Sequence, residues 1–238
     1  VLLRGRPAVG RLTMPQATRL VWDLPVRITH WLLVACVAGC WATHYAGVEW
    51  FHWHRRLGYA VLVLVAFRVV WGFAGTRHAR FANFLRGPRA VVEYLRSGRE
   101  TAGHNPVGAL GVVAMLGLLG LQATTGLFAN DEIMNAGPFY GWISPATSNR
   151  LTSLHHDNSD WLLTLIALHV FAVGWYVFVR RRALVRAMLT GSKDQRVVPV
   201  AEAITGSRLP LALAIVMLLA GTLALVLSAA PEATIALY

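Results

Sequence analysis

Charge is scarce in this chain of 238 residues: only 14% are Asp, Glu, Lys or Arg, whereas a soluble domain carries about 25%. That scarcity, with 56% of residues in the hydrophobic set, excludes a disordered chain and argues against a cytoplasmic enzyme. Cysteine is nearly absent. The two present, Cys36 and Cys40, lie one helical turn apart in an apolar run, which gives no support to a disulfide framework or a zinc cluster and predicts inert thiols. Carboxylates are few as well, 11 against 22 Lys and Arg, for a net charge of +11. Such an excess suits nucleic-acid binding, but basic residues also collect in the cytoplasmic loops of membrane proteins, and an apolar composition favours the second explanation. A Walker loop, a Rossmann fingerprint and a nucleophile elbow are all missing, so no motif supports phosphate binding, hydride transfer or hydrolysis.

What the chain has is apolar length. About 20 mostly apolar residues cross a bilayer, and five stretches qualify, at 26–47, 57–74, 107–128, 158–179 and 209–230. An all-α membrane protein is therefore expected. The first 20 residues hold no apolar stretch long enough for a signal-peptide core and read as a basic cytoplasmic arm. Arg4, Arg6, Arg11, Arg19 and Arg27 precede or open the first span, six Arg lie in the second loop, and seven basic residues follow the fourth span. The other three segments hold only Arg55, Arg56 and Arg150, with Glu49, Asp131, Glu132, Asp157 and Glu232. Eighteen basic residues against three place the N-terminus in the cytoplasm and, after five crossings, the C-terminus outside. The segments 75–106 and 129–157 have room for interfacial helices, Pro88 to Leu95 being one candidate.

Nine histidines stand out in so apolar a chain. Ionisable groups inside spans are expensive and point to function. His30 lies about a turn into the first span and His169 in the middle of the fourth. His155 precedes His169 by 14 residues, about 21 Å of helical rise and nearly one face, whereas His156 falls on roughly the opposite side. Two neutral imidazoles from different helices can hold a haem iron from both sides, leaving a centre that transfers electrons and has no open position for substrate. Helix 1 enters from inside and helix 4 from outside, so His30 and His169 both fall in the inner half of the bilayer. At the outer end, His44, His52 and His54 compete to partner His155. Spacing alone leaves that choice open.

Several stretches resemble the bacterial cytochrome b561 and nickel-iron hydrogenase cytochrome b family: WDLPVRITHW (Trp22 to Trp31), HRRLGY (His54 to Tyr59), FRVVWGFAG (Phe67 to Gly75), GHNPVG (Gly103 to Gly108) and LHV (Leu168 to Val170). The resemblance covers roughly residues 22–191. It implies a four-helix transmembrane haem-binding bundle, to which the fifth helix is an addition. It implies axial ligands from helix 1, from the start of helix 2 four residues before a glycine, and twice from helix 4. By position these are His30, His54, His155 and His169, paired His30 with His169 and His54 with His155, with Gly58 supplying the offset. The chain then divides into an arm (1–21), a dihaem core (22–191), a cytoplasmic linker (192–208) and an additional helix with a short external tail (209–238). Without a C-x-x-C-H motif the two haems are expected to be non-covalent haem b.

Arg68 is the one basic residue well inside helix 2 and a candidate partner for haem propionates, a snorkelling arginine being the equal alternative. Asn105 and Pro106 form a helix start, and His104 with Asn105 makes a candidate quinone site at the inner face. Gly108, Gly111, Gly117, Gly120 and Gly126 on helix 3 allow close packing or a porphyrin edge. The tryptophans, among them Trp31, Trp71 and Trp175, read mostly as an interfacial belt.

Taken together these features predict an electron-transfer subunit of the bacterial inner membrane. It would link quinone or quinol to a periplasmic c-type cytochrome, hydrogenase or dehydrogenase, with membrane lipid around it and no nucleic acid. The acidic external residues Asp131, Glu132 and Asp157 would steer a basic partner. The alternatives are a superoxide:quinone oxidoreductase, as in some relatives, or a haem-free histidine-lined transporter or proton channel. Ligands about 21 Å apart on one helix argue against a single compact metal site in the last case.

Overall fold

The computed structural model describes residues 17–230. Arg4, Arg6 and Arg11 of the expected arm, and Glu232 with the tail after 230, lie outside the described residues. Five of the helices are long and apolar enough to cross a membrane. They are α1 (Leu24–Ala46), α2 (Phe51–Ala74), α5 (Pro106–Gly126), α6 (Pro145–Phe178) and α8 (Leu209–Ser228). Between them run α3 (Phe81–Phe84), α4 (Pro88–Ser97) and α7 (Leu184–Thr190). A helix does start at Pro88, α4, closed by Gly98 at φ 58°, where only glycine turns left-handed cheaply.

Proline and a capping side chain start the spans. The carboxylate of Asp23 accepts the Val26 N–H at 2.8 Å ahead of Pro25, and Asn105 Oδ1 accepts the Gly108 N–H at 2.7 Å ahead of Pro106. Ser144 caps α6 before Pro145. That last start lies 13 residues before the expected span, because 145–157 is polar and carries no hydropathy signal. A 34-residue helix is about 51 Å long, well beyond the roughly 30 Å hydrocarbon core, so α6 projects from the membrane. α2 likewise begins at Phe51, so His54 sits in its first turn.

α1 packs on α2, α2 on α5, and α5 on α6, whereas α1 and α6 are not closely packed against each other. In mid-bundle Val61, Val65, Leu119 and Leu162 form the buried core. A second core closes the end of the bundle where α1 starts, joining Val21, Trp22, Phe67, Trp71, Ala187, Val198 and Ala212. The segment expected as a linker is folded into it. Strand β1 (Thr18–Leu20) pairs antiparallel with β2 (Ser192–Asp194), Arg19 opposite Lys193. α8 packs along α2, leaving Leu213, Met217, Leu218 and Leu225 exposed as a lipid-facing helix requires. Trp71 departs from the belt expected for the tryptophans: it is fully buried in this second core.

Candidate functional site

His30 on α1 and His169 on α6 face each other with ring centres 6.5 Å apart. The Nδ1 atom of His30 is buried and has no hydrogen-bond partner among the described residues. At the opposite end of the bundle, His54 on α2 and His155 on α6 stand 6.4 Å apart. Two imidazoles on opposite sides of one metal ion, each bonded at about 2.0 Å, put their ring centres about 6.4 Å apart. Both pairs therefore fit a centre clamped from two sides. Their donor chemistry, neutral imidazole nitrogen, suits iron.

Hydrogen bonds orient the His54–His155 pair. His54 Nδ1 donates to the carbonyl of Cys40 at 2.9 Å. His155 Nδ1 shares its proton between the Gln122 carbonyl at 3.0 Å and the Thr125 hydroxyl at 3.1 Å. Each bond at Nδ1 leaves Nε2 bare for a metal, the arrangement that ligating histidines adopt. His44 lies beside these rings, 6.3 Å from His54 and 6.3 Å from His156. His54 faces His155, and His44 stands at the same spacing from His54 and His156; the Nδ1 bond to the Cys40 carbonyl is what sets His54 apart. His52 is exposed, its Nδ1 donating to the Glu49 carbonyl at 2.8 Å. Both cysteines are free, and Cys40 serves the site through its backbone oxygen.

Toward the other end of α2 from His54, Arg68 is buried, with Nη1 and Nη2 unpartnered among the described residues. Its guanidinium lies over Phe81 at 5.4 Å and Phe84 at 5.9 Å. A buried cation with two idle donors is a ready site for a carboxylate such as a haem propionate. It does not snorkel. His104 is packed between Trp22, at 4.7 Å, and Phe84, at 4.8 Å. Burial pushes its pKa down to about 3, with Arg68, Lys193, His78 and His169 adding repulsion. Asn105 spends its carbonyl oxygen on the helix cap, which leaves its amide nitrogen for any ligand. Asp131 and Glu132, expected to steer a partner, also brace their own loop: Asp131 Oδ1 accepts three backbone N–H groups, and Glu132 accepts from Asn149 at 2.5 Å.

Three contributors escaped sequence reasoning. Asp23 is buried against Trp71 and Thr76, although an Asp two residues before a proline is a cap signal. Thr125 and Asn158 are buried polar residues within apolar runs; Asn158 Nδ2 donates to Gln122 Oε1 at 2.6 Å and to the Leu118 carbonyl at 3.0 Å. Their contacts cross from α5 to α6, which sequence spacing does not reveal. Of the helix 3 glycines, Gly126 has the clearest role, since a Cβ there would sit 3.0 Å from His155 Cε1.

Residues 21–191, the stretch holding all four paired histidines, match the family model described as prokaryotic cytochrome b561. A protein of Rhizobium leguminosarum bv. viciae named "Probable Ni/Fe-hydrogenase B-type cytochrome subunit" is 23% identical over 225 residues, covering 78% of this chain and 93% of its own. Another of the same name, from Bradyrhizobium diazoefficiens, is 22% identical over 228 residues, covering 81% of this chain and 90% of its own. A match over most of the chain, on a bundle of membrane-long helices, settles the family: the chain belongs to the prokaryotic cytochrome b561 family of membrane b-type cytochromes, which carry haem b and transfer electrons.

Proposed function

We propose that the chain is a dihaem conduit of the bacterial inner membrane, passing electrons between a redox partner at the outer face and quinone at the inner face. The observation that supports this most is the repeated spacing, 6.5 Å between His30 and His169 and 6.4 Å between His54 and His155, at two depths of one bundle. Fourteen residues of α6 separate the two levels by about 21 Å. Among the described residues no three His, Cys, Asp or Glu side chains gather around one point, which disfavours a compact metal site. The basic loops favour a cytoplasmic N-terminus and a periplasmic C-terminus.

Haem, when bound, supplies one-electron chemistry. The chain's residues do the rest. His30 and His169 would hold one haem, and His54 and His155 the other, each through imidazole nitrogen. Arg68, buried with Nη1 and Nη2 unpartnered among the described residues, would pair with a haem propionate. His104, neutral at physiological pH, hydrogen-bonds a quinone oxygen beside the Asn105 amide. The relatives' names refer to a Ni/Fe hydrogenase. We assign this chain a partner of that kind, a hydrogenase, dehydrogenase or c-type cytochrome docking on the periplasmic side.

The test is a visible spectrum of the purified protein with a haem-to-chain ratio. Sharp reduced α-bands of b-type haem and two haems per chain are expected; a colourless preparation, or one haem per chain, overturns the assignment.

A further inference from the structure

The two histidine pairs differ in what holds them. At the outer pair both imidazoles donate from Nδ1 to oxygen acceptors. Thr125 is 3% exposed, and its own hydroxyl proton goes to the Leu121 carbonyl at 2.7 Å, so it can offer His155 only a lone pair. Gln122, whose carbonyl is the second acceptor, is held in register by Asn158 across the α5–α6 contact. At the inner pair His30 Nδ1 is buried with no acceptor among the described residues. A proton drawn toward an acceptor at Nδ1 makes Nε2 more electron-rich, and an electron-rich ligand stabilises the oxidised metal.

We infer that Thr125 is a positioning residue which, with the Cys40 and Gln122 carbonyls, makes the centre held by His54 and His155 the lower in potential of the two. The inference rests on the dihaem assignment. Thr125 would act on that centre only by accepting the Nδ1 proton of His155, and no bond forms or breaks.

Redox titration of the full-length haem-loaded protein, followed optically and by EPR, tests it. Two waves are expected. His54→Ala, which removes the outer centre, should leave the higher one. Thr125→Val should raise only the lower wave, by an about tenfold change in the oxidised-to-reduced ratio at fixed potential, or about 59 mV for one electron. Thr125→Ser, which keeps the hydroxyl, should restore it. If Thr125→Val loses its outer haem, wild type against His54→Ala still decides the order. Two haems whose lower wave survives in His54→Ala overturn this inference alone, as does an unmoved lower wave in a fully loaded Thr125→Val protein. Fewer than two haems in wild type overturn the dihaem assignment instead.

Discussion

The indole Nε1 of Trp71 donates to both carboxylate oxygens of Asp23, at 3.1 and 3.3 Å, and neither residue reaches solvent. The same carboxylate caps α1 through Val26 and takes the hydroxyl proton of Thr76. One side chain thus ties the start of the first span to the end of the second. Asp23→Ala removes the cap and strands a buried indole N–H, for a loss of about 3 kcal/mol. A lower thermal midpoint in detergent, with Asp23→Asn falling between the two proteins, would bear this out; an unchanged midpoint would count against it.

Haem stoichiometry separates His54 from His44. His54→Ala should lose the outer haem, and His44→Ala should keep both, because it is His54 whose ring faces His155 at 6.4 Å. If His44→Ala loses a haem while His54→Ala keeps two, the outer ligand is misassigned.

Gly126 gives an independent handle on the same centre. A valine there drives its side chain into His155, so Gly126→Val should lose the outer haem and leave the inner one. Gly120→Ala is the control, since its Cβ would meet Val65 at an ordinary 3.8 Å. Equal haem content in the two variants would refute the steric account.

His104→Ala should impair reaction with quinol while both haem spectra stay intact. Unchanged quinol kinetics would remove His104 from the quinone site.

Acid should weaken the inner end of the fold. Burial lowers the pKa of His78, partly offset by its bond to the Glu202 carbonyl, and takes His104 down to about 3. Both are neutral when folded and titrate near 6.5 when unfolded. Below about 6.5 the unfolded chain binds more protons, so stability is full above that pH and is lost as pH falls toward about 3. Arg68 and Lys193 hold His104 neutral from the neighbouring elements. The thermal midpoint should drop between pH 7.5 and pH 5, and His104→Gln should flatten that slope. A slope identical to wild type would contradict it.

Hydropathy and histidine spacing made the spans and three of the four proposed ligands legible, because a helix repeats every 3.6 residues and lipid tolerates few polar groups. The beginnings of α2 and α6 were not. Residues 145–157 are helical because Ser144 and Pro145 start a helix that α6 then continues, and their polarity hides them from a search for apolar length. Trp71 looked interfacial, but its indole nitrogen is satisfied by Asp23, 48 residues away in sequence.

By itself, then, the order of residues determined the membrane class, the five crossings and the face of α6 that carries His155 and His169, all of which depend on local periodicity. Only the tertiary structure decided which ring His155 faces and which hydroxyl accepts its proton. It also decided that Arg68 is buried with its Nη1 and Nη2 atoms lacking a hydrogen-bond partner among the described residues. These are relations between helices, set by how α1, α2, α5 and α6 pack, and no spacing within one helix contains them.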